Sequence, residues 1–262
     1  MQLEAWLLVL AGVAEGIGLV AYAGHRWQRW PRAERAGTWA ALLSAGLLLG
    51  SLVLRGIGGA WPGSGWTAHL PLLAAATLIA YLWLEWRTAS RELGDSTLLL
   101  VLLLTWPAIL IPARQTAVSP LLKVAWRLPW FIIHQGLFSL GGGALAVASA
   151  ALLQRLGNIL WAASGRTLSA PAARQGERLL VRTLAMATPW LTAALLAGFW
   201  WRYVVWGQPY RWTWAEGGSF VAWLAAIAAA QAIQRGWRGW QLTLTTLIGS
   251  GATLLAFLAA GL

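Results

Sequence analysis

The chain has 262 residues, a formal net charge of +11 and a mean hydropathy of +0.63, with 59% hydrophobic and only 10% charged residues. A soluble domain carries about 25% charged residues, so this composition excludes one and points to an all-α, polytopic integral membrane bundle. The absence of cysteine excludes disulfides, thioether attachment to this chain and thiolate metal sites. The positive charge reads as the loop bias of a membrane protein, with no nucleic-acid partner implied.

Apolar runs near the length needed to cross a bilayer predict eight membrane helices. They cover about 3–23, 38–55, 69–86, 97–113, 130–153, 180–201, 218–234 and 240–261. The start Met1-Gln2-Leu3-Glu4 lacks a basic region, so the first run is expected to be a permanent helix. Residues 154–179, rich in Ser, Gly, Pro and Arg, read as the one linker-like segment. No soluble domain and no internal repeat are evident, so 1–262 reads as a single membrane domain. Alternate loops carry twelve arginines, from Arg26 to Arg238, against six basic residues on the other side, Arg55, Arg114, Lys123, Arg127, Arg202 and Arg211. That bias predicts the twelve in the cytoplasm and both termini outside, in a cytoplasmic (inner) membrane.

Span one carries Glu15 within Gly12-Val13-Ala14-Glu15-Gly16-Ile17-Gly18. An ionisable residue at bilayer depth is a functional candidate, but no intramembrane basic partner is in view. The expectation is therefore a close helix contact at Gly12 and Gly16, with Glu15 hydrogen-bonded to a neighbouring helix. His25, in His25-Arg26-Trp27-Gln28-Arg29-Trp30, reads as interfacial anchoring. Span three opens Ala68-His69-Leu70-Pro71-Leu72, which puts His69 at a membrane boundary. Pro129-Trp130-Phe131-Ile132-Ile133-His134-Gln135 leads into span five, and Gly141-Gly142-Gly143 permits close helix approach within it. The densest stretch lies at about 200–223, between spans six and seven. Trp206, Trp212 and Trp214 are expected inside that external loop, beyond both helix ends, as a π-faced shelf that can receive a flat apolar ligand.

These residues resemble the cytochrome c assembly protein family, with features of its haem-lyase branch. Trp206-Gly207 followed by Tyr210-x-Trp212-x-Trp214 is similar to the family's tryptophan-rich signature, and Glu216-Gly217-Gly218-Ser219-Phe220-Val221-Ala222-Trp223-Leu224 to its continuation. Fitting the signature takes one extra residue before Tyr210 and a two-residue deletion after Trp214, and Ala215 stands where the signature has Asp. Ala68-His69-Leu70-Pro71-Leu72 resembles the opening of the corresponding family helix, and Arg235-Gly236-Trp237-Arg238-Gly239 a family turn. His134 matches a family histidine that ligates haem iron on the outer face; an imidazole level with the shelf can offer a nitrogen to iron. Gln231 replaces a membrane-embedded family histidine, and a further outer histidine of the family is missing. The resemblance covers about 60–262 and implies a divergent member.

The resemblance implies a haem-handling protein of cytochrome c biogenesis that holds haem on the external loop for delivery to apocytochrome c. In that reading the indoles Trp206, Trp212 and Trp214 stack the porphyrin and His134 ligates the metal. His69 is the candidate second ligand, and Arg127, Arg202 or Arg211 pairs with the propionates. It also implies a second membrane assembly protein as partner. The alternative is a non-catalytic scaffold or accessory subunit, favoured by Gln231 and Ala215. A transporter is weakest, because embedded charges are few and no broken-helix pair is evident.

Overall fold

The computed structural model describes residues 2–28, 30, 32–58, 66–111, 129–163, 170–210, 212–237 and 240–259. Among them are eight helices and no strand. They are α1 (Gln2–Gln28), α2 (Ala33–Ile57), α3 (Trp66–Thr88), α4 (Gly94–Leu110), α5 (Pro129–Ala163), α6 (Ala170–Trp206), α7 (Trp214–Gln234) and α8 (Trp240–Ala259). Seven are long and apolar enough to cross a membrane; α4, with 17 residues, is the shorter one. It stops three residues before the expected end. Ile111 precedes Pro112, and the extended backbone it adopts (φ −115°, ψ 97°) is the conformation that a following proline imposes.

The helices form two antiparallel groups, α1 to α4 and α5 to α8, and α3 packs against members of both. Helix α5 is the hub of the second group. A methyl placed on Gly141 would lie 2.6 Å from Leu191 of α6, and one on Gly142 would lie 2.7 Å from Thr253 of α8. On Gly143 it would lie 2.5 Å from the backbone of Ala76 in α3. Three consecutive glycines thus let one helix touch three others, which is close packing by small residues in an apolar solvent. Ser149 adds a 2.7 Å hydrogen bond to Ser250.

In the first group Glu15 is fully buried and its Oε1 accepts hydrogen bonds from Ser44 of α2 (2.8 Å) and Thr105 of α4 (3.0 Å). The expected polar tie to neighbouring helices is there, and of the expected glycine contacts Gly12 makes one and Gly16 does not. A methyl at Gly12 would lie 3.3 Å from Ile109 of α4 and one at Gly16 would meet nothing within 4 Å, whereas one at Gly18 would strike Leu98 at 2.6 Å and Ala40 at 3.1 Å. The tightest approach of α1 to α2 and α4 is therefore at Gly18, one half-turn beyond Gly16.

Two expectations about loops are corrected. The linker expected over 154–179 is mostly helix, because α5 continues to Ala163 and α6 begins at Ala170. Its turn-forming residues are compatible with that: Pro171 lies in the first turn, where a missing N–H costs nothing, and a glycine in a helix costs only about 1 kcal/mol. The long tryptophan loop is also short. Trp206 is the last residue of α6 and Trp214 the first of α7, so only 207–213 lies between the helices. Trp212 alone of the three indoles is within the loop. Gly207 ends α6 in the left-handed conformation (φ 67°), its N–H bonded to the Tyr203 carbonyl at 2.9 Å. Thr213 starts α7 with a reciprocal cap: its hydroxyl accepts from the Glu216 N–H, and the Glu216 carboxylate accepts from the Thr213 N–H.

Candidate functional site

The alternation of the helices brings the start of α3, α5 and α7 and the end of α6 and α8 to one end of the bundle. There they enclose an open cavity of about 1330 Å³. His69, His134, Trp206, Trp212 and Trp214, all singled out in the sequence, line it. Arg211 and Arg127 lie outside the described residues.

His134 sits one turn into α5 and its ring is held from three directions. It lies nearly parallel to Trp201 of α6 (centroids 6.4 Å apart, 10° between planes) and to Phe138 on its own helix (6.3 Å, 26°). Its Nδ1 is 2.7 Å from the carbonyl oxygen of Ala194. A carbonyl oxygen only accepts, so Nδ1 carries the proton and donates it. In the neutral ring the lone pair is then on Nε2. His69 is buried on α3, edge-on to Phe257 of α8 at 6.0 Å, and its Nδ1 is 3.4 Å from the side-chain amide nitrogen of Gln135. The residue after His134 therefore touches the second histidine, and both imidazoles open on the same space.

The aromatic wall is a chain of ring contacts. Trp201 is buried, packs on Phe131 at 4.8 Å and meets Trp206 edge-on at 4.9 Å. Across the opening Tyr210 contacts Phe199 (5.6 Å) and Trp212 (4.5 Å), and Trp212 reaches Phe220 (6.3 Å). Trp223, lower on α7, donates its indole N–H to Thr192 of α6 at 3.0 Å and ties the two walls together. Trp212 and Trp214 are 74% and 89% exposed, so these two indoles lend their faces to the surroundings rather than to the core. Trp212 holds φ at 54°, a left-handed conformation that a bulky residue adopts only when its surroundings demand it.

One ion pair flanks the rings. Arg202 pairs with Glu216, and its guanidinium lies 4.8 Å from the centroid of Trp206 and 5.5 Å from that of Trp201. Glu216 thus both caps α7 and neutralises the arginine that the sequence offered as a free anion receptor. The Tyr210 hydroxyl is buried without a hydrogen-bond partner. Burial and the neighbouring Glu216 carboxylate raise the pKa of this phenol above its ordinary value. Among the described residues no group of three or more His, Cys, Asp or Glu side chains could hold a metal ion. Gln231, in place of the family histidine, is exposed on α7.

Sequence reading missed Phe131, Phe138, Trp201, Gly198 and Gln135 as members of this wall. For Gln135 adjacency to His134 was the available signal, and for the short loop it was the spacing Thr213-x-x-Glu216. Trp201 lies in the dense stretch at about 200–223, while nothing local marks Phe131, Phe138 and Gly198, which join the wall through helix packing.

Residues 64–262 match the model of the family described as Cytochrome C assembly protein. No curated protein matches the sequence. Among solved structures, the chain is similar to one titled Cytochrome c Heme Lyase CcmF, with a TM-score of 0.63 and 18% identity over 98% of this chain and 46% of that one. At that identity the likeness is one of fold, and this chain spans less than half the length of that protein. With the family model covering three quarters of the sequence, the chain belongs to the cytochrome c assembly protein family.

Proposed function

We propose that the chain handles haem in cytochrome c biogenesis, holding it at the tryptophan-lined cavity for delivery to apocytochrome c. The observation that carries this reading is the opening of two imidazoles, His134 and His69, onto one indole-walled space. The donor set suits a tetrapyrrole. A histidine whose Nδ1 proton is committed to a backbone carbonyl leaves Nε2 for iron, as in many metal-ligating histidines. Flat apolar faces suit the macrocycle, and the cavity volume exceeds that of an ordinary small-molecule pocket, roughly 300–1,000 Å³. His134 would hold the metal and His69 would approach it from the α3 side. Trp206, Trp212 and Trp214 would support the ring, and Arg211 would pair with a propionate. Bound haem supplies vinyl groups that form thioethers with cysteine. This chain has no cysteine, so both sulfurs come from the apocytochrome. The chain's own contribution is positioning.

The arginine bias supports an orientation with both termini and the 207–213 turn outside the cytoplasmic membrane. The family resemblance also implies a second membrane assembly protein as partner. Detergent-purified protein titrated with haem should develop a Soret band that shifts on reduction and is weakened in His134→Ala. Equal uptake by both proteins refutes the ligand assignment. No uptake by either leaves the scaffold reading, which Gln231 already favours.

A further inference from the structure

We infer that helix α6 works as a tautomer clamp on His134, and that Gly198 is the positioning residue that makes the clamp possible. The imidazole lies against the backbone of α6 at a point where no side chain intervenes. A methyl on Gly198 would be 2.7 Å from Nδ1 and 2.8 Å from Cε1 of His134, well inside contact distance. Gly198 lies one helical turn beyond Ala194, whose carbonyl receives the Nδ1 proton at 2.7 Å. Glycine at 198 is therefore what lets the ring come down onto that carbonyl. Trp201, three residues further along α6, stacks on the ring within 10° of parallel and sets its plane. One helix thus supplies clearance, acceptor and stacking face at spacings of 194, 198 and 201, which place all three on one side of it.

A half-turn about the last side-chain bond of the histidine would put Cδ2 where Nδ1 stands and break the bond to the Ala194 carbonyl. Trp201 and Phe138, both near-parallel to the ring, oppose that rotation. Donation from Nδ1 to the carbonyl leaves Nε2 as the nitrogen with a lone pair, and strengthens it as a donor to a metal. Gly198 then acts on the ligand through the imidazole that it admits. The ligand half of this inference rests on the haem reading above; the tautomer half does not.

The test has two arms, both on the full chain in detergent micelles. In the first, nitrogen-15 labelled histidine is observed by long-range proton–nitrogen correlation without haem, with His134→Ala used to assign the His134 ring among the three histidines. Wild type should show a neutral ring protonated at Nδ1, and Gly198→Ala should lose that pattern. A ring protonated at Nε2, or an imidazolium, in the wild type at neutral pH overturns the clamp. In the second arm, haem affinity is measured by absorbance titration for wild type, Gly198→Ala, His134→Ala and the double variant. Gly198→Ala should weaken binding about 10–100-fold and shift the Soret band, with no added loss in the His134→Ala background. Equal affinity of Gly198→Ala and wild type refutes the positioning role. An effect of Gly198→Ala that persists without His134 refutes it too, by showing a merely structural one. Should wild type bind no haem, the haem reading fails while the first arm still decides the tautomer. Should Gly198→Ala not fold, the wild-type spectrum alone decides.

Discussion

The two ends of the bundle solve the problem of polar groups in a membrane protein in opposite ways. At the end formed by α1, α2, α3 and α4, charges meet charges. Glu85 is buried and accepts from Tyr22 (2.9 Å), Thr38 (2.7 Å) and Arg91 (2.8 Å). Arg91 also pairs with Glu34 at 3.0 Å, and Arg26 bridges Asp95 (2.8 Å) and Asn158 of α5 (2.7 Å). Tyr22 fits there because Gly37 and Gly94 leave it room. The charged groups named here are satisfied by one another within the protein. At the opposite end rings meet rings, the ion pair between Arg202 and Glu216 flanks them, and a cavity remains with two imidazoles and a buried phenol on its wall. A closed polar network specifies how helices dock; an open aromatic one leaves interactions for something else to complete.

Substitutions can separate the two roles. The largest contrast is expected between His134→Ala and Glu85→Ala. The first should lower haem uptake by at least about tenfold, and the second should leave uptake per folded molecule unchanged, both read from the Soret absorbance of monodisperse protein. Parallel losses would mean that the ends are not independent. Next in size is the stability of the closed end. Glu85→Ala removes the buried carboxylate that Arg91, Tyr22 and Thr38 share, leaving Arg91 only Glu34, and should cost about 3–5 kcal/mol, seen as a lowered unfolding midpoint in micelles. Thr213→Ala at the open end removes only a cap and should cost about 1 kcal/mol. The smallest effect concerns pH. Glu92, at the closed end, has its carboxyl pKa raised by desolvation, partly offset by Arg26. The folded state then holds this proton to higher pH than the unfolded one, so stability falls as pH rises from the ordinary carboxylate range through the raised value. Glu92→Gln should flatten that slope in an unfolding series. An unchanged slope would assign it to another group.

Legibility followed the range of the interactions. The membrane spans were plain because twenty apolar residues in a row leave few alternatives. Helix ends were harder. Indoles suit an interface, which points Trp206 and Trp214 to a loop, yet they belong to helices that outlast the bilayer-length runs. The reciprocal Thr213–Glu216 cap was written in the sequence and would have shortened that loop. Glu15 was readable as a hydrogen-bonded residue, but its partners Ser44 and Thr105 lie 29 and 90 residues away.

Composition and local motif determined that this is a helical membrane protein of the cytochrome c assembly family, and marked His134, His69 and the indoles as residues of interest. Each of those signals is carried by neighbours in the chain. Only the tertiary structure decided that His69 and His134 share a cavity, that Arg202 is neutralised by Glu216, and that Gly198 admits an imidazole to the Ala194 carbonyl. Those pairings join residues from different helices, and contact between helices depends on side-chain volume across the interface, which no single helix records.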